Sequence, residues 1–572
     1  MGKHFLRGAA LAATLSLTGG AEVSAQSGAG AYLAGRHAVI VNDFVAAADY
    51  WSRALGMDRD NPNLMENTAL AHLSRGRLDR ALPIAEYMED LGLRSQVAQM
   101  VAVAGLVDKE NYVAILDRPA ETQGIGPLMD GLIEAWALLG IGETSEALAQ
   151  FDTVAQENGL RGFALYHKAM ALALTGDYAG AEAIFADEQS GAAMMTRRGA
   201  MARAEILSQL GRNQDAIDLL ANAFGAGFDP GLSLLADQLL AGEPLPFTHI
   251  TTVRDGMAEV FFSIAAALNN EAKDDYTLIY ARVAEHLRPG HIDVLLLSAE
   301  LLNDLDQFDL AVETYKKVPQ DSPDHYAAEL GRATALRSAD KPDAAIEVLE
   351  QLGGDYPDLP SVHSALGDLL RQQEDYAGAV AAYNRALDLT DEGARSVWFL
   401  LYARGISHER LDNWQEAEAD FRQALVLNPD QPQVLNYLGY SMVEKQINLD
   451  EALDMIERAV AGRPDSGYIV DSLGWVLYRL GRYDEAVGHM ERAVELMPVD
   501  PVVTDHLGDV YWAVGRYREA EFQWKRALSF IDPEETDGEA DPDRIRRKLE
   551  IGLDEVLIEE GAPPLKVVND DG

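Results

Sequence analysis

Residues able to do chemistry are present in this chain, but their spacing assembles no recognisable reaction centre. The twelve histidines are scattered. His408-Glu409 lacks a second histidine four residues on, so the zinc-and-base pairing of an HExxH helix cannot form. His249, His286 and His291 show no ligand spacing, and no phosphate loop, G-x-S-x-G elbow or G-x-G-x-x-G turn occurs. The acidic run 532–543 offers oxygen ligands of the kind calcium takes. Pro533, Glu535, Asp537 and Arg544 nevertheless fail to reproduce the alternating ligands and terminal glutamate of an EF-hand. Arg544, Arg546, Arg547 and Lys548 form the one basic concentration, and beside that acidic run they read as intramolecular ion-pair partners rather than a phosphate site. The expectation is therefore no catalytic residue, no metal and no cofactor.

The elements that carry these residues repeat. G-W-V-L-Y-R-L-G-R-Y-D-E-A-V from Gly474 aligns with G-D-V-Y-W-A-V-G-R-Y-R-E-A-E from Gly508, a period of 34 residues. Gly474, Gly481, Tyr483, Glu485, Ala486 and Ala493 recur as Gly508, Gly515, Tyr517, Glu519, Ala520 and Ala527. A fixed period of this length marks a helix-turn-helix solenoid. A small residue one turn into the second helix traces it backward, through Ala520, Ala486, Ala452, Ala417, Ala379, Ala345, Ala311 and a degenerate Thr277. A second series runs through Ala216, Ala181, Ala147, Ala114, Ala81 and Ala47. Small residues let antiparallel helices cross closely. Tyr383, Phe421 and Trp524, one turn further on, are expected to fill the space between neighbouring units.

The pattern resembles the tetratricopeptide repeat, closely over 397–530 and loosely over 31–532. That resemblance implies an all-α fold: tandem helix-turn-helix repeats stacked into a right-handed superhelical solenoid, here in two arms. The N-terminal array takes 26–224 with about six units, and the C-terminal array 257–532 with about eight. A Gly- and Pro-containing connector at 225–256 joins them, with a short helix near 232–240. An acidic loop at 533–543 precedes a capping helix at 544–560, where Ile545, Leu549, Leu553 and Leu557 share one face, and a tail at 561–572. With nearly all of the 572 residues assigned to repeats, no room is left for an ordinary enzyme domain of roughly 100–200 residues.

In repeats of this kind the first helix of each unit lines the concave groove. The matching C-terminal positions are Asn436 and Tyr440, then Tyr468, Asp471, Trp475 and Tyr478, then Asp505, Asp509 and Trp512. Side chains spaced three and four apart share a helix face. Aromatic and acidic groups together suit a protein or peptide segment with apolar and basic side chains. Packing between repeats is the competing reading for Trp475, Tyr478 and Trp512. The basic carboxylate clamp of chaperone-binding members is not evident, so an acidic tail is not the expected ligand.

The first 25 residues read as a secretory leader. Lys3 and Arg7 precede an apolar run at 8–17, and Val23-Ser24-Ala25 offers a cleavage site. The run is shorter than the roughly 20 residues a membrane span needs. Its architecture resembles that of Gram-negative periplasmic repeat proteins, which implies a periplasmic address after cleavage at Ala25, with no integral span left. The absence of cysteine agrees with an oxidising compartment and leaves no site for lipid attachment there. A net charge of −46 argues against nucleic acid or an anionic membrane surface as partner. The expectation is a non-enzymatic scaffold in cell-envelope assembly or secretion. The alternatives are an envelope component that retains its N-terminal segment as an anchor, and a repeat-bearing enzyme with a catalytic part hidden at 224–286.

Overall fold

A computed structural model of the chain describes residues 28–118, 124–187, 196–225, 228–242, 244–391, 393–531 and 540–565. The leader, residues 532–539 of the acidic run and the end of the tail lie outside the described residues. Among the described residues every regular element is a helix, and the helices run as antiparallel pairs. All fourteen small-residue markers fall on the second helix of such a pair. Every one of them is fully buried except Ala114, which is half-buried on the five-residue helix Tyr112–Leu116.

Local chemistry sets the ends of these helices. Pro62, Pro360, Pro432 and Pro501 open first helices, where a missing N–H costs nothing. Asn61 and Asp500 cap theirs through the side chain. The turn between paired helices passes through a left-handed residue, such as Gly481 at φ 79°, Gly515 at φ 78° and Asp412 at φ 60°. The two glycines of each sequence repeat thus do different work. Gly481 and Gly515 end helices, whereas Gly474 and Gly508 sit where the pair crosses. A Cβ on Gly508 would lie 2.4 Å from the Trp524 ring, and one on Gly474 2.2 Å from Met490 Sδ. This corrects the expected place of the large residues. Tyr383, Phe421 and Trp524 seat on the crossing glycine of their own repeat (Gly367, Gly405 and Gly508), and Phe421 also reaches Tyr437 of the next.

The chain divides into two compact units, Met1–Val348 and Leu349–Gly572. The 225–256 segment lies inside the first. Its helix Pro230–Leu240 is followed by an extended stretch laid along Arg197–Gln209. Glu205 accepts the Thr248 N–H at 2.8 Å and its hydroxyl at 2.7 Å, Ser208 accepts the Leu245 N–H at 2.9 Å, and Gln209 donates to the Leu245 carbonyl.

Part of the inner face of this first unit is taken up by its own chain. Helices Val253–Leu268 and Asp274–Leu287 pack against the first helices of four earlier pairs, Pro62–Ser74, Gln96–Asp108, Pro127–Gly140 and Arg161–Leu174. Buried polar groups fix the fit. Glu259 accepts Tyr166 Oη at 2.7 Å and a bidentate fork from Arg198 at 2.7 and 2.8 Å. Burial alone would raise the Glu259 carboxyl; the Arg198 charge and the His291 hydrogen bond override it and hold the group well below its usual range. Arg282, buried, donates to the Ser74 carbonyl and to Glu285.

In the second unit, first helices of successive repeats touch directly and form an inner row. The expected single capping helix is two helices, Pro542–Ile551 and Leu553–Glu559. The break falls at Gly552, with φ 87° and room for no Cβ, since one would stand 2.6 Å from the Trp512 ring.

Candidate functional site

The inner row of the second unit is where the nine groove candidates lie, and the structure sorts them into two groups. Asn436, Asp471 and Asp505 each stand three residues before a crossing glycine, Gly439, Gly474 and Gly508. They occupy one register on three successive first helices, Pro432–Glu444, Gly467–Leu480 and Pro501–Ala513.

At the C-terminal end that register is occupied by the chain itself. Lys548, 1 % exposed, places its ammonium 2.8 and 2.9 Å from the Asp505 carboxylate and 2.6 Å from Asp509. Asp509 also accepts the Trp524 indole N–H at 2.9 Å. Trp512 donates to Asp554 at 2.9 Å and packs on Trp524 and Tyr517. The remaining basic residues pair with acids of the cap, Arg544 with Glu560, Arg546 with Asp543 and Arg547 with Glu559, and Arg544 also lies 3.6 Å from Asp509.

One repeat earlier a stack closes the face. Trp475 lies 3.9 Å from the His506 ring and 4.8 Å from Tyr478, nearly parallel to both, and donates to Glu444 at 2.8 Å. His506 Nδ1 meets Asp471 at 3.1 Å. Burial pulls the His506 imidazole down, but the Asp471 charge and hydrogen bond outweigh it and leave the group raised. Tyr478 is buried, and burial together with the nearby Asp509 charge raises its phenol well above the ordinary value. Trp475, Tyr478, Asp505, Asp509 and Trp512 are thus engaged within the chain.

The other four line an open cavity of about 360 Å³. Asn436 and Tyr440 come from one helix, Tyr468 and Asp471 from the next. Tyr468 is 44 % exposed. Asn436 is buried, and its Oδ1 has no hydrogen-bond partner. Glu409, Tyr437 and Glu444 share the lining, with Asp500 and Val502 from the start of the following repeat. Sequence reasoning missed these. Glu444 lay within reach of it, four residues after Tyr440 on the same face, while Tyr437 is beside Asn436 and Asp500 belongs to a turn.

The Ser263–His167 contact is structural. In the first unit Ser263 Oγ lies 3.1 Å from His167 Nε2. Trp136 Nε1 can only donate, and it donates to His167 Nδ1 at 3.2 Å. Nε2 therefore carries the proton, and His167 cannot act as base toward Ser263. Burial also pushes this imidazole down to about 4. No group of three or more metal-ligating side chains occurs among the described residues, and no helix among them is long and apolar enough to cross a membrane.

Comparison with known proteins agrees with the helical repeats. Tetratricopeptide repeat family models match residues 32–91, 134–193, 330–396, 398–431 and 470–498. A TPR repeat-containing protein of Pseudomonas aeruginosa is 35 % identical over 83 residues, 14 % of this chain and 14 % of that protein's length. Among solved structures, the APC/C hetero-tetramer Cut9-Hcn1 is 15 % identical, covering 91 % of this chain and 96 % of that one, with a TM-score of 0.38. A tetratricopeptide repeat protein from Parabacteroides merdae is 18 % identical over 45 % of this chain and 97 % of its own, with a TM-score of 0.37. Proteins of this family are in general non-catalytic scaffolds that bind other proteins. The chain is a tetratricopeptide repeat protein.

Proposed function

We propose that this chain is an exported, periplasmic, non-enzymatic scaffold of the cell envelope that holds an extended segment of a partner protein against the inner row of its second unit. One observation carries the choice of site. The cavity lined by Asn436, Tyr440 and Tyr468, about 360 Å³, is roomier than the cavities of about 160 and 210 Å³ on the first unit. There helices Val253–Leu268 and Asp274–Leu287 take up part of the inner face, and the last repeat of the second unit is covered by its own cap. Tyrosines suit such a surface, since they bury a large area with few rotatable bonds and keep a polar tip. The partner segment carries apolar and basic side chains, in keeping with the acidic lining. Export rests on the order of charged, apolar and small residues before Gln26.

Two measurements test this reading. Protein from the periplasmic fraction should begin at Gln26, and an intact N-terminus there would remove the case for cleavage. Affinity capture from envelope extracts should return a protein that Tyr440→Asp no longer retains. Equal recovery by both forms would move the site elsewhere.

A further inference from the structure

We propose that the cavity between Pro432–Glu444 and Gly467–Leu480 is a cation subsite that receives one lysine or arginine side chain of the partner segment. The inference rests on the groove reading above and adds to it the identity of one partner residue and the groups that read it.

The chain itself shows how this register is used. Asp505 and Asp509 flank the crossing Gly508, and the Lys548 ammonium enters between them, 2.6 Å from Asp509 and 5.7 Å from the centre of the Trp524 ring. One repeat back, Asp471 takes the His506 imidazole at 3.1 Å. Two consecutive positions of one register are thus filled by nitrogen donors of the same chain. Asn436 and Tyr440 flank Gly439 in the same way, and there no donor arrives at the Asn436 amide oxygen.

Two observations at that third position point to a ligand. Asn436 is 9 % exposed, yet its Oδ1 is buried and unpartnered, and a buried amide oxygen in a folded protein normally finds a donor. The lining is also unbalanced in charge. Glu409, Glu444, Asp471 and Asp500 face it, and Arg410 is the one lysine or arginine among the lining residues. Lys445 stands 3.9 Å from Glu409, and His506 answers Asp471. Glu444 accepts the neutral Trp475 indole and Asp500 the Val503 N–H, and neither forms an ion pair among the described residues. A long cationic side chain matches this set, with its aliphatic stem along Tyr440 and Tyr468 and its charged head toward Glu444.

The probe is a library of random dodecapeptides displayed on phage and selected on the immobilised mature chain, followed by fluorescence anisotropy with the selected peptides. The expected result is a lysine or arginine at one fixed position. Glu409→Gln with Glu444→Gln then weakens binding tenfold or more, replacement of that basic residue by norleucine does the same, and the two losses do not add. The amide variants are isosteric, and circular dichroism checks their folding. Peptides that are lost with Tyr440→Asp but carry no basic residue, or that bind the double amide variant unchanged, overturn the cation subsite and leave the groove standing. Peptides indifferent to Tyr440→Asp, or no selected peptide at all, overturn the groove reading with it.

Discussion

Lys548 Nζ lies 2.6 Å from Asp509 Oδ1 at a position with almost no exposure, so the C-terminal cap is tied to the last repeat by a buried charge. Removing the amine leaves the buried Asp505 carboxylate without its ion-pair partner, while Asp509 keeps the Trp524 N–H and Arg544 at 3.6 Å. Lys548→Ala should destabilise the second unit by about 3–5 kcal/mol, the usual cost of breaking a buried pair from one side. Urea unfolding followed by tryptophan fluorescence checks this, and a loss under about 1 kcal/mol would mean that the cap is peripheral to the stack.

Overpacking at the helix crossings is the second expectation. Ala486 and Ala520 are fully buried, and Gly508 has the Trp524 ring where a Cβ would go. Ala486→Leu, Ala520→Leu and Gly508→Ala should each cost about 1–3 kcal/mol. Glu485→Leu, on the exposed side of the same helix as Ala486, should be near neutral. Thermal unfolding that leaves any of the three crossing variants level with the parent contradicts the packing described above.

Two titrations should pull in opposite directions. The His506 value is raised in the folded chain, so its contribution is fully present below about pH 6.5 and is lost as pH rises through the folded value. The Glu259 value is depressed, so its contribution is present above about pH 4.5 and is lost as pH falls through the folded value. Stability of the second unit should therefore decline on the alkaline side of 6.5, and Asp471→Asn should flatten that slope. An unchanged slope in the variant would show that the Asp471–His506 pair does not set it.

The tryptophans and tyrosines of the inner row should separate by phenotype. Tyr440→Ala and Tyr468→Ala should weaken partner binding by about 1–2 kcal/mol each with little change in unfolding. Trp475→Ala should instead cost about 3–5 kcal/mol of stability, because its ring stacks on His506 and Tyr478 inside the chain. Binding and unfolding measured on the same variants decide it. A stable Trp475→Ala that no longer binds would return that ring to the binding surface.

The repeat was legible from sequence because close helix crossing admits only small residues, and this leaves a period that survives divergence. Ala47 through Ala520 all fall on second helices for that reason. The fate of the inner face was not legible. Nothing local to Asp505 or Asp509 announces that a lysine some forty residues later will bury itself between them. Nor does the degenerate marker Thr277 announce that its helix pair takes up part of the inner face of the first unit instead of extending an open row. Both are long-range contacts, and an inner position reads alike whether a partner or the chain itself occupies it. Gly552 shows the local limit: the period-four run Ile545, Leu549, Leu553, Leu557 passes through a residue at φ 87° with the Trp512 ring where a Cβ would go.

Site-specific photo-crosslinking in living cells tests the central claim most directly, and it works before the partner has been identified. A photoreactive phenylalanine analogue is placed in turn at Tyr440, at Tyr468 and at the exposed Phe522 on the second helix of the last repeat. The account predicts that Tyr440 and Tyr468 give an adduct with another protein and that Phe522 does not. Adducts at Phe522 with none at Tyr440 or Tyr468 would contradict it.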